Sequence, residues 1–188
     1  MKLIAERVGV SVPTVSRVLT GKAKQFRISK ETAEAINKIA AELNYTPNKL
    51  ASGLRLKRTQ TLGLLIPDIS NPFFASIARS IESSARRLGY SIILCDSEES
   101  TKLEAESLLL LQSRKVDGLL ICPVGQESAH LISLLEKNVP VVFVDRYFPE
   151  LKCPYVVSDN AKGAFEATSY LIENGHNAIA CIQGLLNT

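Results

Sequence analysis

Several common signals are missing from this 188-residue chain. No apolar run reaches the length of a membrane span. The first residues also lack the charged, apolar, small-residue order of a signal peptide. Both absences point to a cytoplasmic protein without a membrane partner. Cysteine is sparse: Cys95, Cys122, Cys153 and Cys181 all follow residue 60 and form no C-x-x-C pair. Reduced structural thiols are expected, rather than disulfides, metal ligands or a nucleophile. There is no G-x-G-x-x-G, no P-loop and no G-x-S-x-G. The only two histidines, His130 and His176, read as surface or helix-end residues. These gaps argue against an enzyme, so no catalytic residue, cofactor or metal is expected.

The residues that are present divide unevenly. The net charge of +3 combines +8 over residues 1–60 with −5 over residues 61–188. A basic head on an acidic body suggests a nucleic-acid contact surface at one end. The length fits a small domain plus most of another, and a hydrophobic content of 46% is ordinary for a globular core.

Within the basic part, residues 8–19 read as the turn and second helix of a helix-turn-helix. Gly9 supplies the corner, since a residue without Cβ takes positive φ at little cost. Ser11 is a helix cap and Pro13 lies in the first turn, where its missing N–H costs nothing. Val15, Val18 and Leu19 share one face at i, i+3, i+4 spacing and must be buried. The opposite face holds Val12, Pro13, Thr14, Ser16 and Arg17. These offer close approach, hydroxyls for phosphate and one arginine fork for guanine. An ordinary amphipathic helix with a surface arginine is the better reading of this stretch alone; the following forty residues decide against it. A short helix over 2–8 precedes it, carrying Leu3, Ile4 and Val8. A basic loop, Gly21–Ile28, follows. Ser29 then caps a third helix with Ala33, Ile36, Ala40 and Leu43 at helical spacing, ended by Asn44 and Pro47.

The boundaries expected are a head over 1–47, a hinge over 48–60 and a core over 61–188. In the hinge, Leu50 and Leu54 lie among cations, in a segment too short for a stable isolated helix. The core alternates short apolar runs with helical stretches. Strands are expected at Leu62–Ile66, Ser91–Cys95, Gly118–Cys122, Val139–Val144 and Ala178–Ile182, with Val156–Val157 as a minor one. Helices are expected near 73–88, 102–115, 127–137 and 161–174. This pattern reads as βαβ units with a parallel sheet buried on both faces. Ligands of such sheets bind beyond the carboxyl ends of the strands.

Many ordered stretches carry a family resemblance. They include Gly9-Val10-Ser11, Thr14-Val15-Ser16-Arg17-Val18-Leu19, Leu43-Asn44-Tyr45-Thr46-Pro47-Asn48 and Ala51-Ser52-Gly53-Leu54. Further on stand Asn71-Pro72-Phe73-Phe74, Val116-Asp117-Gly118-Leu119 and Asp145-Arg146. On these residues the chain resembles the lactose/galactose repressor family of bacterial transcriptional regulators, over its whole length. The resemblance implies a sequence-specific DNA-binding repressor whose core, like periplasmic sugar-binding proteins, holds a small effector, a sugar or related metabolite. It implies a homodimer on a near-palindromic double-stranded operator. Val12 and Pro13 fall at variable base-reading positions and Arg17 at a major-groove arginine. DNA contact carries over to Ser11, Thr14, Ser16, Asn48, Lys49, Ala51 and Arg55, and Leu54 matches a hinge leucine that wedges between base pairs. Asn71, Phe73, Phe74, Asp145 and Arg146 fall at effector positions. An aspartate–arginine pair suits hydroxyl-rich ligands; the two phenylalanines either stack on a ligand ring or fill core.

Departures from the pattern are expected to matter. Leu3 stands where an acidic residue is common, and the Lys22–Ile28 loop is long. Family cores have two subdomains, of which this sequence carries the first, so the fold expected is an all-α head plus an incomplete α/β core with a one-walled cleft. Two other readings remain: a sugar-binding module akin to periplasmic receptors, and a truncated fragment without function.

Overall fold

In a computed structural model, residues 1–45, 58–125, 127–137 and 139–182 are described. The chain divides into two units, Met1–Ser52 and Gly53–Thr188.

The first unit is three helices, α1 (Lys2–Val8), α2 (Val12–Leu19) and α3 (Lys30–Glu42). Their ends follow local chemistry. Gly9 closes α1 at φ 73°, a left-handed corner that side chains resist. Ser11 Oγ accepts the Thr14 N–H at 3.3 Å, and Ser29 Oγ accepts that of Thr32 at 3.1 Å, so both expected caps form. The buried set is Ile4, Ala5, Val15, Val18, Ile36 and Ala40. Ile4, Val15 and Ile36 are almost wholly enclosed, each contributing about 1.5–3 kcal/mol of apolar burial.

The second unit carries a sheet of five parallel strands in the order β2-β1-β3-β4-β5. These are β1 (Thr61–Ile66), β2 (Ser91–Asp96), β3 (Gly118–Ile121), β4 (Val141–Val144) and β5 (Tyr155–Val156). Connecting them in chain order are α4 (Pro72–Arg87), α5 (Thr101–Ser113) and α6 (Ala129–Leu135), and α7 (Asn160–Glu173) follows β5. Residues of β1 alternate between two cores. Leu64 and Ile66 pack with Phe74 and Ala78 of α4, whereas Leu65 packs with Leu108 and Leu111 of α5 and Leu131 of α6. The Asp117 carboxylate ties down the entry to β1, accepting the Thr59 N–H at 2.7 Å and the Gln60 N–H at 2.9 Å.

One expected strand does not form. Ala178–Ile182 has no strand pairing, and the fifth place in the sheet goes to the two-residue β5 beside β4. An apolar run becomes a strand only when a neighbour supplies its hydrogen bonds. The β4 run also starts later than expected, at Val141, because Pro140 has no N–H to contribute. Helix α7 forms as expected but buries no residue; Phe165, Tyr170 and Ile172 stay exposed. Among the described residues, no helix is long and apolar enough to cross a membrane, and no cluster of candidate metal ligands occurs.

Candidate nucleic-acid interface and effector edge

Burial of Val15 and Val18 turns the other face of α2 outward. Ser11, Val12, Pro13 and Arg17 are exposed, and Thr14 and Ser16 are half-buried. Two hydroxyls are already engaged, since Ser11 Oγ and Thr14 Oγ1 lie 2.9 Å apart. Arg17 is held from outside the helix: its guanidinium carbon stands 4.0 Å from the centre of the Phe26 ring. Phe26 itself sits in a folded loop. The Lys22 N–H donates to Arg17 O at 2.8 Å, the Phe26 N–H to Lys22 O at 3.2 Å and the Ile28 N–H to Ala23 O at 3.0 Å. This loop carries Lys22, Lys24 and Arg27 beside the exposed face. Sequence patterning did not show the stack. Asn48, Lys49, Ala51, Leu54 and Arg55 lie outside the described residues.

At the carboxyl edge of the sheet, the loops after β1, β2, β3 and β4 converge. Asn71 caps α4, its Oδ1 accepting the Phe73 N–H at 3.0 Å, which leaves the amide NH2 as a donor. Phe73 is 52% exposed and meets Phe74 edge-on, with ring centres 5.1 Å apart. Phe74 is only 3% exposed. It belongs to the core, and it meets the edge as the ring 5.4 Å beneath the Arg146 guanidinium. Of the two alternatives for this residue, the structure places it in packing.

Asp145 and Arg146 follow β4 directly. Asp145 takes a positive φ of 66° and burial raises its carboxyl pKa, partly offset by the Arg146 charge. Arg146 donates from Nη1 to Glu99 Oε2 at 3.0 Å and from Nη2 to Glu99 Oε1 at 3.1 Å. Nη1 also reaches the carbonyls of Pro123 (3.3 Å) and Val124 (2.9 Å). Glu98 and Glu99 have positive φ as well, 49° and 53°. Strained backbone thus gathers on this edge, as it does at ligand sites. Asp96 binds the loop after β1 through the Ile69 N–H at 3.0 Å, and the Ser70 hydroxyl and N–H hold the Asp68 carboxyl below its ordinary pKa. Cys122, at the end of β3, is fully buried, and burial pushes its thiol up to about 12.

Sequence reasoning missed three residues here. Glu104 of α5 has no exposed side-chain surface, yet it accepts the Val124 N–H at 2.6 Å and sits 2.5 Å from His130 Nε2. His130, read above as a surface or helix-end residue, is mostly buried against it, its side chain 17% exposed. A signal existed: Glu104, Leu108 and Leu111 recur at i, i+4, i+7 on the buried stripe of α5. Glu99 had none, because its partner lies 47 positions away.

A helix-turn-helix head and a parallel α/β unit with a polar carboxyl edge define the class of regulators that join a DNA-reading head to a ligand-binding core. Comparisons with known proteins agree. The family model "Bacterial regulatory proteins, lacI family" matches residues 1–48, and "Periplasmic binding proteins and sugar binding domain of LacI family" matches residues 59–188. The ribose operon repressor of Halalkalibacterium halodurans is 41% identical over 181 residues, covering 96% of this chain and 53% of that protein. The transcriptional regulator DegA of Bacillus subtilis is 37% identical over 185 residues, covering 96% and 54%. Among solved structures, the lac repressor dimer bound to operator and the anti-inducer ONPF superposes with a TM-score of 0.82 at 27% identity, over 94% of this chain and 53% of that one. The chain belongs to the lacI family of bacterial regulatory proteins. It spans about half the length of the curated relatives it matches.

Proposed function

We propose that this chain is the DNA-reading and first effector-contacting part of a cytoplasmic transcriptional repressor, not an enzyme. The observation that carries the reading is the outward face of α2, where Val12, Pro13 and Arg17 are exposed while Val15 and Val18 pin the helix to the head. Such a helix enters a major groove with its first turn against base edges. Val12 and Pro13 meet bases closely, Arg17 presents its fork to guanine, and Ser11, Thr14 and Ser16 border the phosphates. Residues 1–47 act as the head and 48–60 as the hinge, in which Asn48, Lys49, Ala51 and Arg55 contact DNA and Leu54 wedges the minor groove. Residues 61–188 supply one wall of an effector site. Two copies bind a near-palindromic operator, as the lac repressor dimer does with its operator. The effector sits at the carboxyl edge, against Asn71, Phe73, Asp145 and Arg146, with Phe74 supporting Arg146 from below.

Selection from a random duplex library, followed by titration at two salt concentrations, tests the reading. The chain should recover a sequence preference with strong salt dependence. Arg17→Ala should cost about 1–3 kcal/mol of discrimination at one base position, whereas Lys24→Ala should weaken all duplexes alike. Binding without any sequence preference would overturn it.

A further inference from the structure

The terminal fork of Arg146 is already occupied. Its two terminal nitrogens meet both oxygens of Glu99 and the carbonyls of Pro123 and Val124, and its Nε faces Asp145 Oδ2 at 3.9 Å. Those acceptors are themselves fixed. The buried Glu104 holds the Val124 N–H, and His130 closes on the other Glu104 oxygen, which aims the carbonyls of residues 123–124 at the guanidinium. The Glu99 N–H donates to Pro67 O at 2.8 Å, tying that residue to the loop after β1.

A guanidinium is the best side-chain receptor for phosphate and carboxylate because its paired N–H groups match two anionic oxygens. Here the protein's own carboxylate occupies that geometry. An anionic group arriving at the terminal pair of Arg146 must displace Glu99, and on the Nε side it meets the Asp145 carboxylate at 3.9 Å; either way it sits beside carboxylates. A hydroxyl faces no such conflict. Glu99 and Asp145, with side chains 32% and 21% exposed, accept from O–H groups while the Arg146 pair stays intact. The exposed Phe73 ring, in the first turn of α4 and edge-on to the Phe74 that underlies Arg146, offers an apolar face for a sugar ring.

We propose that this edge takes an uncharged polyhydroxyl effector, and that Glu99 sets the choice by closing Arg146 against phosphate and carboxylate groups. The proposal rests on the reading of the carboxyl edge as the effector site. Glu104 and His130 are positioning residues, since they act through the backbone of Val124.

The test uses the whole chain labelled with 15N, at an ionic strength of about 0.15 M so that distant charges are screened. Matched pairs are titrated: D-ribose against D-ribose 5-phosphate, D-glucose against D-glucose 6-phosphate, with inorganic phosphate alone as a third probe. Amide shifts at Asn71, Phe73 and Asp145 report binding. In at least one pair, the uncharged member should bind about tenfold or more tightly than its phosphorylated mate. Glu99→Gln should bring the phosphorylated member and inorganic phosphate up by about the same factor relative to the uncharged sugar, narrowing or reversing the preference. Glu99→Asn, which tolerates the positive φ well, repeats the charge removal should the glutamine variant fold poorly. Tighter binding of phosphorylated sugars by the native chain would overturn the proposal, as would an unchanged preference in a folded Glu99 variant. Silence from every probe at these amides would overturn the effector reading itself, and this inference with it. Binding of the wrong charge class would leave the effector reading standing.

Discussion

Arg17 and Arg146 are the same side chain put to opposite uses by one neighbour each. Phe26 stacks on Arg17 without consuming any of its N–H groups, so the fork stays available and is oriented before DNA arrives. An exposed cation–π contact is worth about 0.5–1 kcal/mol. Phe26→Leu should therefore lower the ratio of specific to non-specific DNA binding by about two- to fivefold, and Phe26→Tyr should restore it, as competition titrations would show. Asp145 carries a different expectation. Its carboxyl pKa is raised in the folded chain, so the folded state holds its proton more tightly than the unfolded state does. That contribution to stability is complete below the ordinary carboxylate pKa and is lost as pH rises through the raised one. Asp145→Asn, which removes the charge and suits the left-handed backbone, should make the ligand-free chain more stable at neutral pH and flatten its acid profile. Melting curves across the acid range would register both. None of these pairings shows in sequence, because Arg17–Phe26 and Arg146–Glu99 depend on how loops fold back.

For the elements, legibility tracks how local the cause is. The capped helices α2 and α3 were readable, since Ser11, Pro13 and Ser29 lie within a few residues of what they stabilise. So were β1 to β4, from their short apolar runs, although the expected burial on both faces holds for the central β1 and β3 and not for the edge strand β2, where no residue is buried and Leu94 is exposed. The minor strand expected at Val156–Val157 forms one residue earlier, as Tyr155–Val156, but the failure of Ala178–Ile182 to pair was not readable, because pairing is a matter of which neighbour is present. Gly63 shows a similar limit. A Cβ there would lie 2.6 Å from Leu119 Cδ2 and 2.9 Å from Leu111 Cδ1, both in the core beneath α5. Gly63→Val should destabilise the second unit by about 1–3 kcal/mol through overpacking. Denaturant melts would measure this, with the head's DNA affinity as the control that stays constant.

Across the whole molecule, two properties were plain in composition: +8 over residues 1–60, head and hinge together, and −5 over residues 61–188. Under the proposed function, that polarity would concentrate attraction to DNA in residues 1–60 and weaken it over the rest. A third property was not plain. Helix α7 carries Phe165, Tyr170 and Ile172 at 71%, 67% and 60% exposure, an apolar surface of the kind that marks an interaction site or a tendency to associate. The folded chain should bind a hydrophobic dye such as ANS below its melting transition and sediment as larger species at higher concentration. Phe165→Gln combined with Ile172→Lys should suppress both without lowering Tm, since neither side chain is packed. Failure of the native chain to bind dye would contradict this account of α7.

The bent backbone at Glu98, Glu99 and Asp145 bears on heat resistance. Two of the three stand at the proposed effector edge, where relaxing them would trade recognition for robustness. Glu98 is exposed and takes no part in the Arg146 contacts. Glu98→Gly should recover about 0.5–1 kcal/mol of conformational strain and raise Tm while leaving sugar affinity where it was. The rim thus holds one position at which thermal tolerance can be improved independently of selectivity.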